Sequence, residues 1–202
     1  MFIGTEGTLG VVTRAVLRLE EETCGQETAL VGFCDFSNVP KFLRHMQKAV
    51  SGQLIAFEAM WGDYYRAVTI PENGHISPLG RDHSHYVLLE ARREISSENN
   101  VRFRVGLEEA FQTGLIEDAV IAKSGSEVEE IWKIREEFEL VLENKPSFLF
   151  DVSLPIRDMP GYVDEVVRRV KSCWQNGQCY VLGHVADGNL HLFVCPGEGG
   201  NE

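Results

Sequence analysis

The segment 183–191, Gly-His-Val-Ala-Asp-Gly-Asn-Leu-His, holds the residues of this chain that are best suited to chemistry. The Asp-Gly pair at 187–188 lies between two β-like runs and is the preferred pair for a two-residue type I′ hairpin. In that register His184 lies opposite His191 with their Cβ atoms about 5 Å apart, so both imidazoles could reach one metal ion. Asn189 shares the face of His191, because side chains alternate along a strand.

Two histidines do not complete a metal site, because zinc, iron and manganese usually take a third protein ligand, often a carboxylate. The candidates in this chain are Asp151 on another predicted strand and Glu198 in a glycine-rich tail. The alternative is a cross-strand histidine pair that only packs. A bulge at Gly188 would also shift the register and spoil the pairing. The spacing alone leaves these alternatives open.

A second segment, 4–10, reads Gly-Thr-Glu-Gly-Thr-Leu-Gly and precedes a β-like run. It lacks the Gly-x-Gly-x-x-Gly order of a dinucleotide-binding fold and the Gly-Lys-Ser/Thr of a phosphate-binding loop. Glycine lets the backbone approach a ligand closely, but an ordinary loop accounts for the same residues.

Three more histidines, His75, His83 and His85, lie in or beside a stretch at 71–84 that has the composition of a loop. No acidic residue or cysteine shares their spacing. The sequence therefore favours a solvated surface loop over a set of metal ligands, and His85 can begin the next strand.

Composition excludes several classes of function. The 202 residues include 19 Lys plus Arg and 31 Asp plus Glu, a formal charge of −12, which argues against nucleic acid and anionic membranes as partners. No apolar run approaches the roughly 20 residues of a membrane span, and residues 1–10 lack the features of a signal peptide. The cysteines show no Cys-x-x-Cys spacing, so we expect reduced, mostly buried thiols and a cytoplasmic location. They are Cys24, Cys34, Cys173, Cys179 and Cys195.

The elements that must position these residues alternate between β-like and helical stretches. Predicted strands are 11–19, 28–34, 54–60, 86–91, 119–122, 148–154, 179–184 and 190–194. Predicted helices are one that Ser37 caps and those at 63–68, 98–113, 126–142 and 159–174, with Ser126 and Glu129 forming a capping box. Several connections between neighbouring strands are too short for a parallel crossover. The pattern favours an α+β fold, ferredoxin-like, with a largely antiparallel sheet and helices on one face.

Taken together, the segments resemble the FAD-linked oxidase family of the vanillyl-alcohol oxidase superfamily. Its members include D-lactate and D-2-hydroxyglutarate dehydrogenases and the glycolate oxidase flavin subunit. Residues 2–13 resemble the closing segment of that family's FAD-binding domain. The stretches 131–136, 151–155 and 183–191 resemble motifs that recur in the same order in its C-terminal domain.

The resemblance implies an FAD-linked oxidoreductase that transfers hydride to flavin from a D-2-hydroxy acid such as lactate, glycolate or 2-hydroxyglutarate. It leaves the electron acceptor open among a quinone, a cytochrome and an electron-transfer flavoprotein, and it is compatible with a homo-oligomer. His184 and His191 match ligands of a divalent metal, Zn, Fe or Mn, and Arg135 and Asn189 match substrate-binding residues. The positions that match FAD-binding residues are Glu6, Gly7, Thr8, Leu9, Gly10 and Val12.

The implied domains are a remnant of the FAD-binding domain over 1–20 and a substrate and metal domain over 21–202, shortened at its C-terminus. The family's Glu-His-Gly segment, with its third metal ligand and base, has no match here, so no catalytic residue is assigned and we expect the chain alone to be inactive. Leu149 and Glu139 replace a lysine and a threonine of the hydroxyglutarate enzymes, which favours a monocarboxylic acid. A stand-alone ferredoxin-like binding module and a hydrolase built on the histidine pair are the alternatives.

Overall fold

The computed structural model describes residues 5, 7–18, 25–70, 76–93, 97–143 and 146–197, and these form seven strands and six α-helices. The strands are β1 (Gln26–Phe33), β2 (Leu54–Trp61), β3 (His85–Arg92), β4 (Asp118–Ile121), β5 (Phe148–Ser153), β6 (Gln178–Gly183) and β7 (Asn189–Cys195). The helices are α1 (Val39–Ala49), α2 (Gly62–Val68), α3 (Ser97–Gln112), α4 (Gly125–Glu136), α5 (Glu139–Leu142) and α6 (Met159–Cys173). None of these helices has the length and apolar character that crossing a membrane requires.

One sheet contains all seven strands in the order β4-β1-β3-β2-β6-β7-β5, and every neighbouring pair is antiparallel. The predicted α+β class with an antiparallel sheet is confirmed. The ladders differ in length: β1 and β3 pair along their whole lengths, whereas β2 and β6 pair only at Ala59 with Gly183 and at Met60 with Leu182. The sheet therefore consists of two halves that a short ladder joins.

Helices cover both faces of this sheet, so the prediction of helices on one face is wrong. The core on one face takes Phe42, Met46, Phe103, Leu107, Met159 and Val163 from α1, α3 and α6. The core on the other face takes Tyr64, Tyr65, Val68, Ile131, Ile134 and Val141 from α2, α4 and α5. The central strands are buried on both sides, and such strands are nearly continuous apolar runs. The run Tyr-Val-Leu-Leu in β3 is an example.

The helix predicted over 126–142 is interrupted and begins earlier than expected. Ser124, not Ser126, caps α4, because its hydroxyl accepts a hydrogen bond from the backbone N–H of Glu127 at 3.2 Å. The Glu127 carboxylate in turn accepts one from the backbone N–H of Lys123. Ser124 and Ser126 each have a glutamate three residues later, so the capping-box pattern fits both serines and does not choose between them.

The predicted strand over 11–19 is not formed by the part of it that the structure describes, residues 11–18. The residues Val11 and Val16 are fully or almost fully exposed, at 102% for Val16 and 85% for Val11. A strand is held by hydrogen bonds to a neighbouring strand, and no ladder of the described sheet includes this segment.

The cysteines fit the predicted reduced state but not the predicted burial. Cys34, Cys173, Cys179 and Cys195 are free thiols, and the first two are exposed. Cys24 lies outside the described residues.

Candidate functional site

The turn between β6 and β7 is longer than the sequence predicts. It contains a 3₁₀ turn, Val185–Asp187, followed by Gly188 in the left-handed region at φ 75°. A type I′ hairpin needs positive φ at both central residues, and the residue before this glycine does not have it. The predicted pairing of His184 with His191 is therefore wrong, and β6 pairs Leu182 with His191 instead.

The two imidazoles nevertheless lie together. The ring centroids of His184 and His191 are 5.3 Å apart, and the ring planes are nearly perpendicular at 87°. The turn closes tightly behind them, since a Cβ at Gly183 would collide with the backbone carbonyl oxygen of Asn189. The predicted contact between the two histidines is thus present, although the hairpin register that suggested it is not.

A buried carboxylate on β2 connects two polar side chains of this site, Arg135 and His184. Glu58 is 5% exposed, and its Oε1 lies 2.6 Å from Nδ1 of His184. Its Oε2 accepts a hydrogen bond from Nε of Arg135 on α4 at 2.9 Å, and Arg135 is itself 8% exposed. Both carboxylate oxygens are thereby paired, as a buried charge requires.

Glu58 is the site residue that sequence reasoning missed. A signal existed, because this glutamate interrupts the otherwise apolar strand Leu-Ile-Ala-Phe-Glu-Ala-Met-Trp. Glutamate is almost never fully buried unless it has a partner. Its partners are far away in the sequence, however, and His184 lies 126 residues later.

A second carboxylate, Asp151 on β5, lies beside the other imidazole. Its Oδ2 is 3.5 Å from Nδ1 of His191, and its Oδ1 accepts a hydrogen bond from the side-chain amide of Asn189. Burial lowers the pKa of His191; Asp151 opposes this shift, and the nearby charge of Arg135 adds to it. The imidazole is therefore neutral at neutral pH, the form that binds a metal.

These donors fit a divalent metal. Each imidazole has its Nδ1 next to a carboxylate, His184 next to Glu58 and His191 next to Asp151, and this arrangement orients histidines that bind metals through the other ring nitrogen. Within the described part of the chain, no third donor forms a set with both imidazoles that is compact enough for one ion. Glu198, a third-ligand candidate from the sequence, lies outside the described residues.

An open cleft of about 610 Å³ lies next to this cluster. Its lining includes Leu54 and Phe57 of β2, Trp132 of α4, and the site residues Glu58 and His184. The cleft gives a small molecule access to His184 and to the buried carboxylate that this imidazole contacts.

Five of the six residues predicted to bind FAD lie in the exposed segment 7–18. Thr8 forms a local turn, in which its hydroxyl and its backbone N–H both donate to the carbonyl of Thr5. Gly7 has φ 79° and open space where a Cβ would be. Leu9, Gly10 and Val12 are exposed in the same segment. Glu6 lies outside the described residues, and FAD binding stays a prediction for all six.

Comparison with known proteins connects this geometry to a family. The model of the family described as FAD linked oxidases, C-terminal domain, matches residues 25–200. The D-2-hydroxyglutarate dehydrogenase of Stutzerimonas stutzeri (strain A1501) is 28% identical over 195 residues, which are 96% of this chain and 41% of that protein. The mitochondrial D-2-hydroxyglutarate dehydrogenase of Rattus norvegicus is also 28% identical over 195 residues, 96% of this chain and 36% of that protein. The chain thus spans less than half the length of these relatives.

A solved structure shows the same fold. The alkyldihydroxyacetonephosphate synthase structure matches with a TM-score of 0.63 and 10% sequence identity, over 95% of this chain and 40% of that one. At 10% sequence identity the match shows a similar fold and no more than that.

Proposed function

Because the chain belongs to the family of FAD linked oxidases, C-terminal domain, we propose that it forms the substrate-binding part of an FAD-dependent enzyme that oxidises a D-2-hydroxy acid. The observation that carries the proposal is the cluster in which Glu58 holds both Arg135 and His184 beside an open cleft. In this proposal residues 1–20 close a flavin-binding domain, and residues 21–202 form the substrate and metal domain.

Arg135 places a fixed positive charge at this site in a chain with a formal charge of −12. A guanidinium group binds a carboxylate strongly, because its donors match the geometry of the two carboxylate oxygens. Glu58 fixes Arg135 and His184 before the substrate arrives, so less ordering is needed on binding. Asn189 has a buried Oδ1 without a hydrogen-bond partner among the described residues. This oxygen can accept the hydrogen bond of the substrate hydroxyl.

His184 and His191 would hold the divalent metal, and Zn, Fe and Mn all accept imidazole ligands. A bound metal supplies Lewis acidity that lowers the pKa of a substrate hydroxyl, and FAD supplies the hydride acceptor. The chain itself contributes orientation, since Glu58 and Asp151 lie at the Nδ1 atoms and leave the Nε2 atoms for the ion.

The substrate we favour is a monocarboxylic acid such as lactate or glycolate. Leu149 lies two residues before Asp151 on β5 and therefore points to the same side of the strand. An apolar side chain there offers no partner for a second carboxylate, so 2-hydroxyglutarate is the less favoured substrate.

The strand order supports a ferredoxin-like classification for the first half of the described chain. The elements β1, α1, β2, β3, α3 and β4 follow the βαββαβ sequence of that fold, with α2 inserted between β2 and β3. Their order within the sheet is β4-β1-β3-β2.

The test is calorimetric titration of the purified, zinc-loaded chain with D-lactate, glycolate and D-2-hydroxyglutarate. We expect D-lactate or glycolate to bind, and Arg135→Gln to weaken that binding at least about tenfold, or about 1.4 kcal/mol. The matched control is Arg93→Gln, because Arg93 also pairs with a buried glutamate, Glu27, at 2.7 Å. Equal weakening in both variants, or no binding by the wild type, would contradict the proposal.

Two further readouts distinguish the alternatives. We expect the 202-residue chain alone to show no visible flavin absorption and no dehydrogenase activity. Hydroxy-acid binding that persists at full strength in EDTA would instead favour a binding module without catalysis.

A further inference from the structure

A second cluster of side chains that can bind a metal lies where one end of β1 meets the starts of β3 and β4. β1 is antiparallel to both β3 and β4, so the end of β1 and the starts of β3 and β4 meet there. Cys34 directly follows β1, His83 precedes β3 by two residues, and Glu117 directly precedes β4. The cluster thus belongs to β1, β3 and β4, whereas the site described above is built on β2, β5, β6 and β7.

The three side chains have the geometry of a metal-binding group. One ligand atom from each lies within 4.8 Å of the other two. The Cys34 thiol donates to Oε2 of Glu117 at 2.5 Å, and Nδ1 of His83 lies 3.7 Å from that oxygen. Cysteine sulfur, histidine nitrogen and carboxylate oxygen are the donors that bind zinc in proteins.

The state of His83 points independently to a ligand. His83 is only 9% exposed, and its Nδ1 is buried without a hydrogen-bond partner among the described residues. The ring is fixed on one side by Gly32, where a Cβ would collide with it, and on another by the ring of Tyr86, with centroids 5.5 Å apart. A buried polar atom with no partner is rare in proteins and calls for an explanation.

A second carboxylate, that of Asp118, lies on the other side of the His83 ring. The other ring nitrogen, Nε2, lies 3.9 Å from Oδ2 of Asp118. That carboxylate is itself held, because its Oδ1 accepts a hydrogen bond from the backbone N–H of Ala119 at 2.8 Å. At 3.9 Å no hydrogen bond joins Asp118 to the ring, but its carboxylate lies near the second ring nitrogen.

We propose that Cys34, His83 and Glu117 bind a divalent transition-metal ion of the zinc class. When the sulfur–metal bond forms, the thiol proton leaves to solvent, and the Glu117 oxygen that had accepted it becomes a ligand. The thiolate and the carboxylate then balance the two positive charges of the ion. The thiolate selects zinc over magnesium and calcium, which prefer oxygen ligands. Cys34 and Glu117 are exposed, so the ion enters from solvent and a water completes the tetrahedron.

The sequence predicts a solvated loop for His83. The structure has the loop but buries this imidazole, whose neighbours Cys34 and Glu117 are not in the loop. They come from the ends of two other strands, 49 residues before it and 34 residues after it. Only the antiparallel pairing of β1 with β3 and β4 brings the three residues together.

The test is titration of the whole chain with cobalt(II) under reducing conditions. We expect one equivalent to produce thiolate-to-cobalt charge-transfer absorption in the near ultraviolet, Cys34→Ser to abolish it, and His83→Ala to weaken cobalt affinity at least about tenfold. The matched control is Cys173→Ser, which removes another exposed thiol and is expected to keep the absorption. His184→Ala is also expected to keep it, which separates this site from the histidine pair.

Absence of the absorption in the wild type would overturn the proposal, and so would its survival in Cys34→Ser or its loss in Cys173→Ser. Circular dichroism verifies that each variant is folded. If Cys34→Ser fails to fold, Glu117→Gln keeps the thiol and is expected to weaken cobalt binding. The cobalt absorption requires neither a hydroxy acid nor flavin, so its outcome does not depend on whether the proposed function is correct.

Discussion

Glu58 and Glu90 are buried carboxylates on neighbouring strands and the same face of the sheet, and a side chain of α4 reaches each of them. Their partners differ in kind. Glu58 pairs with the guanidinium of Arg135 and with His184, whereas Glu90 accepts hydrogen bonds from the Thr28 hydroxyl at 2.7 Å and the Trp132 indole at 2.8 Å.

The difference teaches that burial of a charge does not by itself mark a functional site. Trp132 and Arg135 are three residues apart on α4 and therefore lie on the same face of the helix. Each of them contacts one of the two carboxylates. At Glu90 the contact fixes the helix to the sheet through neutral donors. At Glu58 the same kind of contact continues to His184, and in the proposed function the Glu58 charge acts on groups that would contact the substrate.

The largest effect is expected from Arg135→Ala, which leaves the Glu58 carboxylate buried without its cation. We expect the free energy of unfolding, measured by urea denaturation, to fall by about 3–5 kcal/mol. Adding Glu58→Gln to that variant is expected to restore part of the loss, since it removes the unpaired charge. A loss below about 1 kcal/mol for Arg135→Ala would contradict the inference that Glu58, unlike Glu90, depends on a charged partner.

A smaller effect is expected from Thr28→Val, which keeps the shape of the side chain but removes a neutral donor to Glu90. Losing a buried hydrogen bond to a charged group lowers stability by about 2 kcal/mol. We expect urea denaturation to show that loss and calorimetry to show unchanged hydroxy-acid binding. Weaker binding in Thr28→Val would mean that Glu90 also serves the site.

The smallest effect is expected at the start of α4, the helix that carries both contacts. Ser124→Ala removes the N-cap and is expected to lower the free energy of unfolding by about 1 kcal/mol. Ser126→Ala is the matched control, because the sequence pattern favours it equally but the structure places it inside the helix. Equal losses in the two variants would contradict the cap observed at Ser124.

Local patterns were enough to predict much of the fold. The apolar spacing around Phe42 and Met46 predicts α1 and its buried face, and the β-rich runs predict most strands to within a few residues. Turn chemistry was less decisive. Asp187-Gly188 suggested a two-residue hairpin, but the chain forms a 3₁₀ turn in which only the glycine is left-handed.

Spacing alone placed together only the site residues that are close in sequence, whereas Arg135 entered through the family resemblance. His184, Asn189 and His191 lie within one short segment and were found. Glu58 was missed because its role depends on β2 lying next to β6, a pairing that no local pattern encodes. The cluster at His83 was missed for the same reason, since its ligands follow or precede three different strands.

The two-pair ladder between β2 and β6 also bears on how the chain folds and opens. It joins segments more than a hundred residues apart, so its formation closes a long loop and is expected late in folding. Few hydrogen bonds hold it, and partial opening there separates Glu58 from His184 while the Thr28–Glu90 contact stays intact. A ligand that contacts residues on both sides of the β2–β6 ladder stabilises the folded state, because it binds only when the ladder is closed. A substrate that contacts both Arg135 and the β6–β7 side is therefore expected to oppose the opening of the sheet.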